Sequence, residues 1–466
     1  GILIFYNKMK KELLLLLLCS VLLLACQEQE TSVKTITSPV IEDTVNNYSQ
    51  QSKENTPLIP STQLVEITDL LGEEIAAYPT KNRNKPNVGE SWTDPDFHTK
   101  LTRVTTSLRH EYSRFDPFNE DHSLIILYVD DTGDFNVYET KSIPYENNLV
   151  MQLKVAEPRW INKETVYGLD GFKIMEINVN TRQRNILKDF SQDQKIAQIL
   201  NSEPDLYRIT TREEGEASLD NRYWTLILQG SADDYRPRYI FTWNRQTDKI
   251  LGIYKIPQKE ANIDWVGMSP LGNYVIIGAD EGNGGNLDGL VIANKELTQF
   301  HQLARSTAHS DTGLDSTGKE VIVMQNSQTD YIDLIPLDFF TNPVNGDYST
   351  STIKRLARLY YASDSKQGFN SGLHISCNAP GYCLVSTYLE PGQKEQNWLD
   401  NSLVLIKLDP EPKGYYLAKT RSVVDSYWEE VQATLTKDGT KAVWTTNWGN
   451  NPGQEKIFLM QVEIPN

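Results

Sequence analysis

The stretch VQATLTKDGTKAVWTTNWGN, Val431–Asn450, contains a strand, a tight polar turn ending in Gly439, and a more hydrophobic second strand. Asp and Gly supply the left-handed backbone that tight hairpin turns require. Seven units over about 350 residues give a period of roughly 50 residues, the length of a propeller blade. The six other units, of which the one beginning at Ser218 is only a partial copy, are Phe115–Val129, Pro158–Asp170, Ser218–Gly230, Trp265–Ala279, Gly313–Gln325 and Ile375–Tyr388.

A second pair of strands follows most of these units, as in Lys173–Leu187 (KIMEINVNTRQRNIL). The last unit lacks a fourth strand, because the sequence stops at Asn466. We expect Thr99–Ser107 (TKLTRVTTS) to supply it, since pairing the two ends removes exposed strand edges that invite aggregation. The predicted fold class is therefore all-β, a seven-bladed β-propeller over residues 99–466 that is closed by an N-terminal strand.

The N-terminal residues predict an export signal. In residues 1–25, a better start at Met9 is followed by Lys10, Lys11 and the apolar run Leu13–Leu24, which is too short to span a bilayer. The run ends in LLAC, which resembles the lipobox of bacterial lipoproteins, and this implies removal of the signal peptide and lipidation of Cys26. Gln27 in place of Asp implies the outer membrane of a Gram-negative bacterium, with the periplasmic and cell-surface sides both open. The alternative is an uncleaved membrane anchor.

Two segments separate the lipid from the propeller. Residues 26–63 are rich in Ser, Thr, Asn, Gln and Glu, so they predict a disordered tether. Residues 64–98 form an N-terminal extension, and Gln63–Ala77 (QLVEITDLLGEEIAA) predicts a short helix there. The net charge of −17 argues against nucleic acid as a partner and limits membrane contact to the lipid. We expect a monomer.

Two cysteines of the body stand close together. Cys377 and Cys383 flank NAPGY, and this spacing fits a disulfide that staples the end of a hairpin. The alternative is a pair of free, half-buried thiols.

Polar residues recur just ahead of the predicted innermost strands. Because these strands all begin at the same end of the channel, we expect their preceding residues to meet at one mouth. Imidazole, guanidinium, phenol and indole groups are typical of a sugar site, where Arg can hold a carboxylate bidentately. The alternative for each residue is a hydrogen bond that ties one blade to the next. The mouth residues are His110, Tyr112, Arg114, Arg159, Trp160, Asp264, Trp265, His309, Asp311, His374, Trp428, Glu430 and Gln432, of which His110, Arg159, Trp160, Trp265, Asp311 and Trp428 are expected substrate contacts.

LTRVTTS leading into the first unit, and the final unit Val431–Asn450, resemble WD40-like, TolB-type propellers of bacterial envelopes. Oligogalacturonate lyase belongs to the same broad group. Breaking a uronic-acid chain by β-elimination requires a neutralised carboxylate, a base for the C5 proton and an acid for the leaving oxygen. For such a lyase we expect Arg114 or a bound cation to neutralise the carboxylate, His309 or His374 to act as the base, and Tyr112 to act as the acid.

A metal ion is a further implication of the resemblance. Oligogalacturonate lyase holds a metal with histidines and a glutamine, which implies a divalent cation, Mn or Ca, bound by His309, Glu430 and Gln432. The paired histidines of that family's last blade are absent here, where Glu430 and Gln432 stand. Two acidic loops, Asp130–Asp134 and Asp280–Gly289, offer the oxygen ligands that calcium prefers, although a solvated hairpin loop is the favoured interpretation.

These observations leave two functions open. In the first, an envelope lipoprotein binds an acidic (uronic-acid) polysaccharide or oligosaccharide at its channel mouth and, in the stronger form, acts as a polysaccharide lyase. In the second, a non-catalytic propeller scaffold docks another envelope protein. The sequence has no Gly-x-Ser-x-Gly elbow, phosphate-binding glycine loop or zinc-type spacing. A mouth with inward-facing histidines would favour the first function.

Overall fold

The computed structural model describes residues 63–72, 78–257, 262–342, 352–360, 372–449 and 457–465. The predicted signal peptide, Cys26 and nearly all of the predicted tether lie outside these residues. Within them, no helix has the length and apolar character needed to cross a membrane.

The described residues form seven antiparallel sheets, and each sheet is one blade. Three N-terminal strands precede the first blade and join later blades: β1 (Val65–Ile67), β2 (Ser91–Thr93) and β3 (Lys100–Arg103). The strands of blades 1 to 4 are β4 (Leu124–Val129), β5 (Asp134–Glu139) and β6 (Leu149–Gln152); β7 (Ala156–Trp160), β8 (Thr165–Asp170), β9 (Lys173–Asn178) and β10 (Arg184–Asp189); β11 (Leu206–Thr210), β12 (Tyr223–Gly230), β13 (Pro237–Asn244) and β14 (Lys249–Lys255); β15 (Ile263–Met268), β16 (Val275–Ala279), β17 (Leu290–Ala293) and β18 (Phe300–Ala304).

The strands of blades 5 to 7 are β19 (Ser310–Leu314), β20 (Glu320–Asn326), β21 (Tyr331–Pro336) and β22 (Lys354–Arg358); β23 (Gly372–Ser376), β24 (Tyr382–Tyr388), β25 (Ser402–Lys407) and β26 (Lys413–Lys419); β27 (Thr434–Leu435), β28 (Lys441–Thr446) and β29 (Phe458–Glu463). Helix is scarce in the described part of the chain. It consists of α1 (Gln194–Ser202), α2 (Ala232–Tyr235) and the short 3-10 turns Tyr145–Asn147, Phe190–Gln192 and Tyr427–Glu429. The predicted seven-bladed, all-β fold is confirmed.

The hydrophobic core is divided among the blade interfaces. Each of seven clusters of buried side chains joins two neighbouring blades, and together they run around the ring. Leu127 of blade 1, for example, packs with Val443 and Leu459 of blade 7. Because both faces of a blade are covered by its neighbours, the second strands carry nearly continuous apolar runs, as in Leu226–Leu228, Val275–Ile277 and Val321–Met324. A gap in the ring would therefore expose two apolar sheet faces at once.

The N-terminal strand closes the ring as predicted. β3 pairs with β29 in the last blade, with Met460 opposite Arg103 and Val462 opposite Leu101, and β2 adds outside it. The extension contains a strand where the sequence predicts a helix, because β1 pairs with β26 in blade 6. This pairing buries Ile67 and Leu70 against Tyr416, and such tertiary packing outweighs helical periodicity. Residues 73–77 of the predicted helix lie outside the described residues.

The innermost strands of blades 1 and 3 are interrupted. In blade 1 only Arg109 and Phe118 bridge to β4, so residues 110–117 leave the sheet between them. In blade 3 the chain leaves β11 after Thr210 and returns at Ser218, which donates its backbone N–H to Tyr223 O. These two excursions position most of the polar groups described below.

The predicted disulfide is confirmed. Cys377 and Cys383 are bridged with Cα atoms 4.1 Å apart, and both residues are buried where β23 turns into β24. The bridge therefore fixes the end of an innermost hairpin.

Candidate functional site

Arg114 lies in the central channel of the propeller, where it contacts residues of several blades. Its Nη1 donates to Glu214 O at 2.9 Å, and its Nη2 lies 3.4 Å from both Glu214 Oε2 and Ser310 Oγ. These three residues come from blades 1, 3 and 5, which are not neighbours, so their contacts must cross the channel. The guanidinium also lies 4.0 Å above the Trp265 ring of blade 4. Arg114 is buried, and its Nε has no hydrogen-bond partner among the described residues.

Two of the predicted histidines meet at this axis. The rings of His309 from blade 5 and His374 from blade 6 lie 4.4 Å apart and are steeply inclined to each other. The Tyr112 ring of blade 1 lies 5.4 Å from His374, edge to face. His374 is fully buried, whereas His309 is half-buried. Residues far apart in the sequence thus bring two imidazoles and a phenol into contact.

His374 has a carboxylate partner from blade 7. Its Nε2 lies 2.8 Å from Glu430 Oε2, and the Glu430 side chain is largely buried. The His374 Nδ1 atom is buried without a hydrogen-bond partner in the described part of the chain. The Glu430 backbone is itself held, because Thr445 Oγ1 donates to its carbonyl at 2.8 Å.

The phenol of Tyr112 lies in a buried environment. Burial raises the pKa of its phenol well above its usual value, and the nearby Glu214 carboxylate adds to this effect. The phenol therefore stays protonated at neutral pH, in keeping with the acid role that the resemblance implies.

His110 serves a different purpose from the other two histidines. It is almost fully buried, and its Nε2 is hydrogen-bonded to the backbone carbonyl of Gln432 in blade 7. Burial lowers the pKa of His110 to about 3, so the ring is neutral under ordinary conditions. In the structure it ties blade 1 to blade 7 behind the His309–His374 pair.

Asp311 joins blade 5 to blade 6. Its Oδ2 accepts the Cys377 N–H at 2.6 Å and its Oδ1 accepts the Thr312 N–H at 2.8 Å. Burial raises the pKa of Asp311 to about 8, while Arg114 acts in the opposite direction. Both oxygens are thus already bonded to backbone, although the sequence predicts a substrate contact.

The predicted contacts from blade 2 also pack internally. Arg159 Nη1 lies 2.6 Å from Glu111 Oε2, and its guanidinium stacks 3.3 Å above the Phe115 ring. Burial raises the pKa of Glu111 to about 7, against the opposing effect of Arg159. Trp160 is buried and donates its Nε1–H to Pro117 O at 2.8 Å, which ties blade 2 to blade 1.

Blade 7 presents two exposed aromatic residues near the polar residues of the channel mouth. Trp428 is 50 % exposed and its neighbour Tyr427 is 40 % exposed. The Arg109 guanidinium lies 5.0 Å from the Trp428 ring and is paired with Asp130 at 2.9 Å. An exposed indole supported by a cation can stack on a sugar ring.

The predicted metal ligands do not form a metal site. The described residues contain no group of three His, Cys, Asp or Glu side chains placed to hold a metal ion. Within the predicted set, Glu430 Oε2 is bonded to His374 Nε2. His309 packs against the His374 ring. The described residues thus show no metal site at these positions.

The two acidic loops have internal partners. Asp288 accepts the backbone N–H groups of Gly282 at 2.8 Å and Gly284 at 2.9 Å, so its carboxylate holds its own loop. Asp130 of the other loop pairs with Arg109. Both loops fit the hairpin interpretation.

Several residues of the site were missed in the sequence. Glu214 lies in the interruption of the blade 3 inner strand, whereas the partial repeat at Ser218 begins after it. The chain turns there through Arg212 and Glu213, which have left-handed backbone at φ 62° and 71°. Such backbone costs a non-glycine residue about 1–2 kcal/mol and often marks a functional segment. The other missed residues are Glu111, Ser310, Tyr388 and Tyr427.

No protein-family model matches the chain, and no curated protein matches its sequence. Among solved structures, the chain is similar to an oligogalacturonate lyase in complex with manganese, with a TM-score of 0.51 and 12 % identity, over 82 % of this chain and 96 % of that one. The two chains share a distantly similar propeller fold. An oligogalacturonate lyase from Vibrio parahaemolyticus gives a TM-score of 0.50 and 11 % identity, over 82 % and 97 %.

TolB from Acinetobacter baumannii matches with a TM-score of 0.30 and 12 % identity, over 68 % of this chain and 66 % of that one. This similarity is too weak to indicate a shared fold in detail. At these identities the likeness to the lyases concerns the fold alone.

Proposed function

We propose that the channel mouth binds an acidic, uronic-acid-containing oligosaccharide and cleaves it by β-elimination. The observation that carries the proposal is the contact between His309 and His374, 4.4 Å apart, with Tyr112 against the second ring. Two solved structures with this fold are named oligogalacturonate lyases, which supports the same substrate class.

The chemistry follows from the exposure of the three groups. His309 is the half-buried imidazole, so it is placed to take the C5 proton of a uronate. The electron pair of that C–H bond forms the C4–C5 double bond, and the C4–O bond breaks. The leaving oxygen takes its proton from the Tyr112 phenol, which is protonated at neutral pH.

Arg114 and Trp428 supply binding in this proposal. The Arg114 Nε has no described partner, and the guanidinium lies 6.0 Å from the Tyr112 ring, which places positive charge beside the acid group. Positive charge near the substrate carboxylate stabilises the carbanion that forms when C5 loses its proton. Trp428 offers an exposed face for a neighbouring sugar ring.

A panel of oligosaccharides tests the proposal. We expect uronic-acid oligosaccharides to bind the purified protein and to yield an unsaturated product, followed by its ultraviolet absorbance. Neutral oligosaccharides of equal length are the control and should do neither, because they lack the carboxylate that acidifies C5. Failure of every uronic-acid oligosaccharide to bind, measured by calorimetry, would contradict the proposal.

One observation favours the non-catalytic scaffold as a second candidate. The three guanidiniums of this region already have carboxylate partners: Arg109 with Asp130, Arg114 with Glu214, and Arg159 with Glu111. A protein partner could instead use the exposed Tyr427 and Trp428. The scaffold predicts no sugar binding in the same panel, so one experiment separates the two candidates.

We also propose that Cys26 anchors the protein to the outer membrane through a lipid. The support is the LLAC motif that ends at Cys26. Replacing Cys26 by Ser should abolish labelling with a radioactive fatty acid and release the protein into the soluble fraction, because the lipid is the only proposed anchor. Cys19→Ser is the matched control and should keep both label and membrane association. Unchanged labelling of Cys26→Ser would rule out this anchor.

A further inference from the structure

We propose that Glu430 is a positioning residue for His374, and not a ligand to a cation, so that proton transfer at this mouth proceeds without a bound divalent metal. This inference rests on the proposed function for its catalytic consequence, while its structural part stands alone. It reverses the role that the family resemblance implies for Glu430.

The first argument is the geometry of the pair. A carboxylate accepts hydrogen bonds, so the 2.8 Å contact with Glu430 Oε2 requires that His374 Nε2 carry the hydrogen. The unshared electron pair of the imidazole is then on Nδ1, which is buried without a described partner. A buried carboxylate that fixes the tautomer and orientation of a histidine is the arrangement found in catalytic triads.

The second argument concerns the lone pairs that a cation needs. With its hydrogen on Nε2, His374 cannot bind a metal through that atom. Glu430 Oε2 is bonded to His374. The Gln432 carbonyl accepts from His110. Turning Glu430 Oε2 to a cation would break its bond to His374 and leave a buried imidazole N–H unpaired, which is destabilising.

The third argument is the support behind Glu430. Its backbone is fixed by Thr445 Oγ1 from β28, and Thr445 is itself buried. The His374 ring is held on other sides by His309, Tyr112 and Tyr388 at 4.4, 5.4 and 6.4 Å. His309 is the more exposed ring of this set, so His374 orients it from behind and Glu430 in turn orients His374.

The tautomer of His374 tests the structural part directly. In nitrogen-15 NMR spectra, we expect wild-type His374 to show one tautomer with the hydrogen on Nε2. Glu430→Ala should give a mixture of tautomers, whereas Glu430→Gln keeps an acceptor oxygen and should retain the single form. The matched control is Asp425→Asn, because Asp425 is an exposed carboxylate in the same segment. This variant should leave the His374 tautomer unchanged. A single Nε2–H tautomer in Glu430→Ala would overturn the positioning role.

Manganese binding tests the metal part. We expect no saturable uptake of Mn²⁺ by the wild-type protein, followed by the electron paramagnetic resonance signal of the free ion. Saturable uptake that disappears in both Glu430→Ala and His309→Ala would overturn the proposal. These variants need only remain folded, and the wild-type measurement is informative by itself.

Turnover connects the pair to the proposed function. On an oligosaccharide that the wild type cleaves, Glu430→Ala should lower kcat by about 10-fold or more with little change in KM. A carboxylate that orients a catalytic histidine affects the chemical step and not substrate binding. The kcat of Glu430→Gln should lie between the values of the wild type and Glu430→Ala. Exhaustive treatment with a chelator should leave wild-type turnover unchanged. Loss of turnover on chelation would overturn the proposal that proton transfer proceeds without a bound divalent metal. If no oligosaccharide is cleaved, the proposed function fails, while the tautomer and Mn²⁺ measurements still decide the role of Glu430.

Discussion

Removal of residues up to Ser107 is expected to leave a protein that aggregates or melts far below the intact domain. This truncation removes β1, β2 and β3, and with β3 the partner of β29 in the last blade. It also removes six buried apolar side chains: Leu64, Ile67, Leu70, Phe97, Leu101 and Val104. Burial of such a side chain contributes about 1.5–3 kcal/mol. Their combined loss is comparable to the whole net stability of a domain, about 5–15 kcal/mol.

Specific contacts add to this loss. The Arg103 guanidinium lies 4.0 Å above the Phe458 ring and donates to the backbone at Pro86 and Thr105. Thr99 Oγ1 donates to Leu417 O of blade 6, so the segment holds two blades together. Without it, β29 would become an open edge available to other chains.

Thermal melting of three truncated proteins measures the effect. A protein beginning at Gln63 retains all described strands and should match the full mature chain. One beginning at Tyr78 lacks only β1 and should show an intermediate midpoint, because β1 adds to the outside of blade 6. Equal melting of the proteins that begin at Gln63 and Leu108 would contradict the ring closure described here.

The fold was readable from the sequence wherever its signal was local. Each tight hairpin turn is encoded by its own Asp, Asn and Gly residues, so the first hairpin of most blades could be predicted. The inner strand of blade 3 could not, because Leu206–Thr210 is separated from its partner by the excursion at residues 211–217. The local pattern predicts a helix at Val65–Ile67, where the structure has a strand. Its partner Tyr416 lies far away in the sequence, so the pairing has no local signal.

The site was predictable to the extent that it depends on blade order. His309 and His374 stand at the start of adjacent inner strands, and the ring geometry alone places them together. The direction of a side chain within an irregular segment is set by packing and has no local signal. His110 and Glu214 lie in such segments, so the sequence left His110 open between a substrate contact and a blade-to-blade bond, and it gave no sign of Glu214. The partner of Glu430 depends likewise on the orientation of a whole loop.

His309→Ala tests the central claim that His309, held against His374, is the base of a site for an acidic oligosaccharide, with Tyr112 as the acid. The removal of a general base typically costs about 10²–10⁴-fold in rate. Because His309 is half-buried and its backbone carbonyl still accepts from Gln325 N, we expect the free energy of unfolding to fall by no more than about 1 kcal/mol. His122→Asn is the matched control, since His122 pairs with Asp438 in the turn region and its left-handed backbone suits Asn.

The most direct measurement is the rate of unsaturated product formation by wild type, His309→Ala and His122→Asn, with the melting midpoint read on the same samples. The account predicts a rate at least about 10²-fold lower for His309→Ala, at a nearly unchanged midpoint, and wild-type values for His122→Asn. A folded His309→Ala protein that turns over the oligosaccharide at the wild-type rate would contradict it.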